Sequence, residues 1–212
     1  MSGSAHPGTA ALAALSKEQK DFLQNLPKAE LHAHLNGSIP LECLQELARK
    51  RHDDLGGSGD QITNETVRKG LEYLEQGVAL ETIDDFFSLF PAIYTLTSTP
   101  AALRTATRAV LDLFLKPSSG GEPPQCQYLE IRTTPRMTDH MSRQDYIIAV
   151  LEEVERFPPE QCSLIISVDR KMTSDDALEC VNIAGELKDK GRRIVGVDMC
   201  GDPTVSGFTM WG

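Results

Sequence analysis

The chain has 212 residues, 40% hydrophobic and 25% charged, enough for one domain with a real core and ordinary for a globular protein. A formal net charge of −10 and a pI near 5.0 lack the basic footprint of a nucleic-acid binder, so no nucleic-acid partner is expected. No apolar run approaches the ~18 residues of a membrane span, so no membrane partner is expected either.

The start, MSGSAHPGTAALAALSKEQK, has no basic region ahead of an apolar stretch, which excludes a secretory signal; residues 1–15 are expected to be a disordered leader. Ser16, with Gln19 three residues on, predicts a capped helix over 17–25 that Pro27 ends. A strand is expected over 29–35 and a helix over 40–51, with Pro40 in the first turn. The three glycines of 53–60 predict a loop. Helical spacing covers 65–90, in pieces around Gly77, and its aromatic cluster Phe86, Phe87, Phe90 and Tyr94 reads as core. A helix over 101–115 follows Thr99–Pro100. The segment KPSSGGEPPQ reads as a loop.

Alternation then becomes regular. Strands are predicted over 127–134, 163–169 and 193–199, with helices over 144–155 and 174–190 between them. Such alternation implies a parallel sheet, because parallel neighbours need long crossovers. Four βα-type units are half of what a closed (β/α)8 barrel needs. The expected fold is therefore α/β, the N-terminal half of a TIM barrel, with an open doubly wound sheet as the alternative. Residues 16–212 form this one partial domain. Each strand run ends in polar residues: His32 and His34, Arg132 to Arg136, Asp169–Arg170, and Gly201–Asp202. Ligands bind at those ends in parallel α/β folds.

The five cysteines, Cys43, Cys126, Cys162, Cys180 and Cys200, are odd in number and hold no CxxC pair. That pattern fits reduced thiols of a cytoplasmic protein.

Chemistry concentrates in ELHAHLNGS. Histidines at i and i+2 of a strand project to one face and are able to share one ion, and neutral imidazoles are common zinc ligands. Further ligands must come from elsewhere; Asp169 and Asp198 are the acidic candidates nearby. The alternative for a bare HxH is a satisfied polar pair.

Residues Pro27 to Ser38 resemble the signature of the adenosine and AMP deaminase superfamily. They are more similar to its adenosine deaminase-like branch, which acts on N6-methyl-AMP and carries an asparagine, here Asn36, where adenosine deaminases proper have aspartate. Phe86 to Thr97, Tyr128 to Arg136, Ser167 to Arg170 and Gly196 to Pro203 agree in type and order, so the resemblance covers about residues 20–205. It implies His32 and His34 as zinc ligands. It also implies His34, Asn36, Tyr94, Thr133, Thr134, Pro135, Arg136, Asp169 and Gly201 as contacts to a purine nucleoside monophosphate, with the Gly201 backbone beside the purine. Physically, Arg136 suits a phosphate, and a carboxamide at position 36 donates to an anion that aspartate would repel. Tyr94 departs from the pattern, since some members of the branch carry histidine there.

In such a family zinc acidifies a bound water, hydroxide attacks carbon 6 of the purine, and the amine or methylamine leaves. The general-acid glutamate, the third zinc histidine, the hydroxide-orienting histidine and an aspartate pair follow the Gly-Asp-Pro motif in the family. Here that motif is Gly201–Asp202–Pro203, and only Thr204 to Gly212 follow it. His6, His52 and His140 match no family motif. The tail Ser206 to Gly212 departs from the helix-entering pattern and reads as the mark of a shortened product. No catalytic residue is therefore assigned, and the 212-residue chain is expected to hold an incomplete site for one Zn2+ and to lack substantial deaminase activity. A noncatalytic fragment that binds nucleotide or a full-length partner, an adenosine deaminase proper and a different HxH amidohydrolase are the competing readings; Gly201–Asp202–Pro203 and Thr-Pro-Arg disfavour the last. The open edges of a half barrel predict self-association.

Overall fold

The computed structural model describes residues 7–54, 65–76 and 83–201. Most of the glycine loop at 53–60, the break at Gly77, His6, Asp202–Pro203 and the tail Ser206 to Gly212 lie outside them, as do the side chains of His52 and Phe86. The first described element is a helix, α1 (Pro7–Ala14), within the segment expected to be a disordered leader.

Helix α2 (Lys17–Asn25) forms as its capping box predicts. The Gln19 N–H donates to Ser16 Oγ at 3.2 Å, and the Ser16 N–H donates to Gln19 Oε1 at 2.9 Å. Strand β1 (Ala29–His34) follows, and its chain then tightens into a 3-10 turn, Leu35–Gly37. The long connection to β2 (Tyr128–Thr133) holds α3 (Leu41–Asp54), α4 (Glu65–Gln76), α5 (Ile83–Ser88), α6 (Phe90–Leu96) and α7 (Pro100–Leu115). Thr99 caps α7 and Pro100 opens it, where the ring removes only an N–H that the first turn leaves unpaired anyway. Then α8 (Arg143–Val154), β3 (Cys162–Asp169), α9 (Ser174–Asp189) and β4 (Ile194–Cys200) alternate. Ser142 and Asp145 form a second capping box at the start of α8, one position before the predicted helix.

All three strand pairings are parallel and the order is β1-β2-β3-β4. A doubly wound sheet reverses its direction of strand addition partway, whereas a barrel adds each strand beside the last. The sequential order therefore selects the barrel over the open alternative.

Period-two alternation divides the sheet. Leu129, Ile131, Leu164 and Ile166 are fully buried against α7 and α8, where Val110, Leu111, Ile147, Val150 and Leu151 close the core. Glu130 and Arg132 alternate with the buried residues of β2 and face the barrel interior. Among the exposed apolar side chains, Val195, Val197 and Met199 of β4 are over 40% exposed, as are Leu31 of β1 and Phe22 and Leu23 of α2. Cys43, Cys126, Cys162 and Cys180 are buried free thiols and Cys200 is a half-buried one; burial pushes Cys162 up to about 12.

Candidate active site at the strand ends

One open concavity is lined by His32, His34, Asn36, Tyr94, Thr133, Thr134, Pro135, Arg136, Asp169 and Gly201, so every candidate site residue reaches the same place. Sequential parallel strands produce this: their C-terminal ends share one rim, although the residues lie far apart in the chain.

His32 and His34 sit with ring centroids 5.2 Å apart in an edge-on arrangement. The pairing of β1 with β2 slips between Glu30 and Ala33, so the first histidine lies in an irregular stretch of strand. There the His32 N–H donates to Glu30 Oε1 at 2.7 Å. Burial, the neighbouring His32 and the Arg132 guanidinium lower the His34 pKa, with Asp198 opposing. The lowered value keeps the imidazole neutral at pH 7, the state that ligates a metal. The pair thus suits a metal as two of its ligands.

The acidic candidates do not complete the set. No group of three or more His, Cys, Asp or Glu side chains able to hold a metal occurs among the described residues. Asp198 is ion-paired with Arg132, which also donates to the Leu31 carbonyl at 2.6 Å. Asp169 instead accepts from the Lys171 N–H at 2.8 Å. Asp169 and Asp198, the acidic candidates nearby in the sequence reading, thus form no ligand cluster with the two histidines among the described residues.

Asn36 is buried, and its Nδ2 donates to the Tyr146 hydroxyl at 3.4 Å; that hydroxyl lies 2.7 Å from Thr133 Oγ1. Asn36 Oδ1 has no protein partner, so the amide is anchored on one side only. Thr134 Oγ1 lies 3.3 Å from Cys200 Sγ. Gly201 has φ +98°, and a Cβ there would lie 2.9 Å from Asp169 Oδ1, so only glycine lets the backbone pass this close. Arg136 stacks on Tyr94, with Cζ 3.6 Å from the ring centroid.

The described members of the aromatic cluster are not core. Phe87 is 59% exposed, and Phe90 and Tyr94 are half-buried in the concavity, linked by ring contacts of 5.7 and 5.5 Å. Helical spacing shows which residues share a face but not whether that face meets the core or a pocket. Tyr146 and Arg143 escaped the sequence reading, and Arg132 entered it only as a polar strand end. Tyr146 is an apolar-face residue of α8 whose hydroxyl partners come from other elements. Arg132 and Arg143 have partners on β4 and α9, Asp198 and Asp176. No local signal marks such long-range pairs.

No protein-family model matches the chain. Curated relatives do. The adenosine deaminase-like protein of Caenorhabditis elegans is 33% identical over 188 residues, which is 87% of this chain and 43% of that protein. The N6-methyl-AMP deaminase of Homo sapiens is 33% identical over 193 residues, 87% of this chain and 49% of that protein. Among solved structures, Arabidopsis ADAL complexed with IMP matches at a TM-score of 0.66 and 31% identity, over 89% of this chain and 54% of that one. A cog1816 amidohydrolase with bound Zn, at 18% identity and a TM-score of 0.58, shares the fold.

Fold and rim together define part of a (β/α)8 barrel of the kind seen in deaminases. Within that class, the chain is similar to the adenosine deaminase-like proteins, at 33% identity over 87% of its own length. It spans about half the length of the curated relatives it matches.

Proposed function

We propose that this chain supplies the metal-entry and substrate-binding half of a zinc-dependent purine nucleotide deaminase, acting hydrolytically on N6-methyl-AMP to give IMP and methylamine. The observation that carries the reading is the convergence of the His32/His34 pair with Asn36, Arg136, Asp169 and Gly201 on one rim. The relatives' names and the IMP-complexed neighbour support a nucleoside monophosphate as ligand. Five free cysteines, four of them buried, support a reducing, cytoplasmic setting.

His32 and His34 would hold one zinc ion, which when bound makes a water acidic enough to act as a nucleophile near neutral pH. The residues of this chain do the rest of the local work. Asn36 is held by Tyr146 and presents its free carbonyl edge. Thr133 is fixed by the same hydroxyl. The Gly201 backbone and the Asp169 carboxylate pack together where a flat base would lie, and Arg136 supplies charge for a phosphate. The 212 residues contain no further histidine of the family pattern beyond this pair, so the isolated chain is proposed to bind without turnover and to associate through its open edges.

The test is a deaminase assay on N6-methyl-AMP, AMP and adenosine. It uses the 212-residue chain and a chimera that continues it with the C-terminal half of the human relative. Activity of the chimera, highest on N6-methyl-AMP, with none from the chain alone, is the expected result. Turnover by the chain alone, or a chimera that prefers adenosine, would overturn the proposal.

A further inference from the structure

Four cationic side chains line the concavity in which the rim residues meet: Arg132, Arg136, Arg143 and Lys171. Two are already committed, Arg132 to Asp198 and Arg143 to Asp176. Among the described residues Arg136 enters no ion pair, and its one strong partner is the Tyr94 ring at 3.6 Å. Tyr94 is itself held, because it lies half-buried on α6 with the Phe90 ring edge-on at 5.5 Å.

The chemistry of that stack is directional. A guanidinium attracted to an aromatic ring lies over the π-face and leaves its N–H edges in plane and unused. Those edges are what a phosphate takes, in a two-pronged hydrogen-bonded contact. An exposed arginine on a pocket rim otherwise samples many rotamers, and ordering it on binding costs affinity. A ring that fixes the plane beforehand removes part of that cost.

We propose that Tyr94 is a positioning residue that acts through Arg136: its ring holds the guanidinium for a phosphate monoester, and the pair sets the preference for nucleoside monophosphates over nucleosides. The inference rests on the nucleotide reading above and adds to it the group that carries the selectivity. Tyr94 needs no contact with substrate in this role, and its hydroxyl is dispensable.

The experiment measures binding of IMP and of inosine to the 212-residue chain by calorimetry at low and at physiological salt. The chains compared are wild type, Tyr94→Phe, Tyr94→Leu, Tyr94→Gln, Arg136→Met and the Tyr94→Leu/Arg136→Met double variant, each checked for fold by circular dichroism. Tyr94→Phe is expected to keep IMP affinity within about twofold of wild type, because the ring remains. Tyr94→Leu and Tyr94→Gln are expected to lose about fivefold or more for IMP and nothing for inosine. The double variant should bind IMP as Arg136→Met does, since both changes remove one interaction. Equal losses for IMP and inosine would mean a structural role and overturn the proposal, as would full IMP selectivity in both Tyr94→Leu and Tyr94→Gln, or its loss in Tyr94→Phe. Should Tyr94→Leu not fold, Tyr94→Gln decides alone. If Arg136→Met leaves IMP binding intact, or the wild-type chain does not prefer IMP, the reading of Arg136 as the phosphate group fails and takes the inference with it. Loss in Arg136→Met without loss in the Tyr94 variants sinks the positioning role only.

Discussion

At the scale of single residues, His34 joins sequence to chemistry most directly. Its imidazole is lowered below the ordinary value by burial, by His32 and by Arg132. A pH titration followed by side-chain NMR should therefore place its midpoint below 6.5. The sign follows for stability. A folded-state pKa below the unfolded one contributes stability that is present above the unfolded value and is lost as pH falls through the folded value. His34→Asn should remove that pH dependence and abolish residual zinc binding in a chelator-competition assay. Gly201 gives a second residue-level test. Alanine there meets both a positive φ and the Asp169 carboxylate at 2.9 Å, so Gly201→Ala should cost about 1 kcal/mol or more in a denaturant melt.

At the scale of elements, α8 joins the barrel's outer layer to its rim. Its N-terminus is closed by the Ser142–Asp145 box, and Tyr146 one turn in holds Asn36 and Thr133. Ser142→Ala should cost about 1 kcal/mol by thermal melt. Toward its other end, Glu153 takes the Arg108 fork at 2.7 and 2.9 Å and Arg156 at 3.1 Å, tying α8 to α7. Burial alone would raise this carboxyl, yet those hydrogen bonds hold it below the usual glutamate range. Its stabilisation is therefore complete above the ordinary glutamate value and fades as pH falls through the lower folded value. Glu153→Gln should flatten the acid limb of the stability curve and cost about 2 kcal/mol at neutral pH. The capping box of α2 was legible in the sequence because it is a local pattern of four residues. The ties of α8 to α7, to the 3-10 turn after β1 and to β2 were not, since their partners lie on other elements.

On the scale of the whole molecule, four strands in barrel order leave β1 and β4 without outer neighbours among the described residues. The strip Val195, Val197 and Met199 is exposed on the last of them. Such an edge pairs readily with another, so sedimentation velocity should show concentration-dependent association. Val197→Lys should weaken it without unfolding the chain. A strictly monomeric chain at high concentration would count against the open edge as an interface.

The helices and strands were largely written in periodicity and capping residues, since those patterns are local and the backbone answers to them directly. So was the family resemblance, because the HAH motif and the later strand ends keep their types and order along the chain. Tertiary structure alone decided three other matters. It set the sequential strand order that makes a barrel rather than a doubly wound sheet, because strand order depends on how the helices pack. It turned Phe87, Phe90 and Tyr94 from expected core into pocket wall, because a helical face carries no label for what it meets. Finally, it left Asp169 and Asp198 outside any ligand cluster with the two histidines among the described residues, with Asp198 paired to Arg132. A carboxylate's role is set by which donor reaches it first, and that distance exists only once the chain has folded.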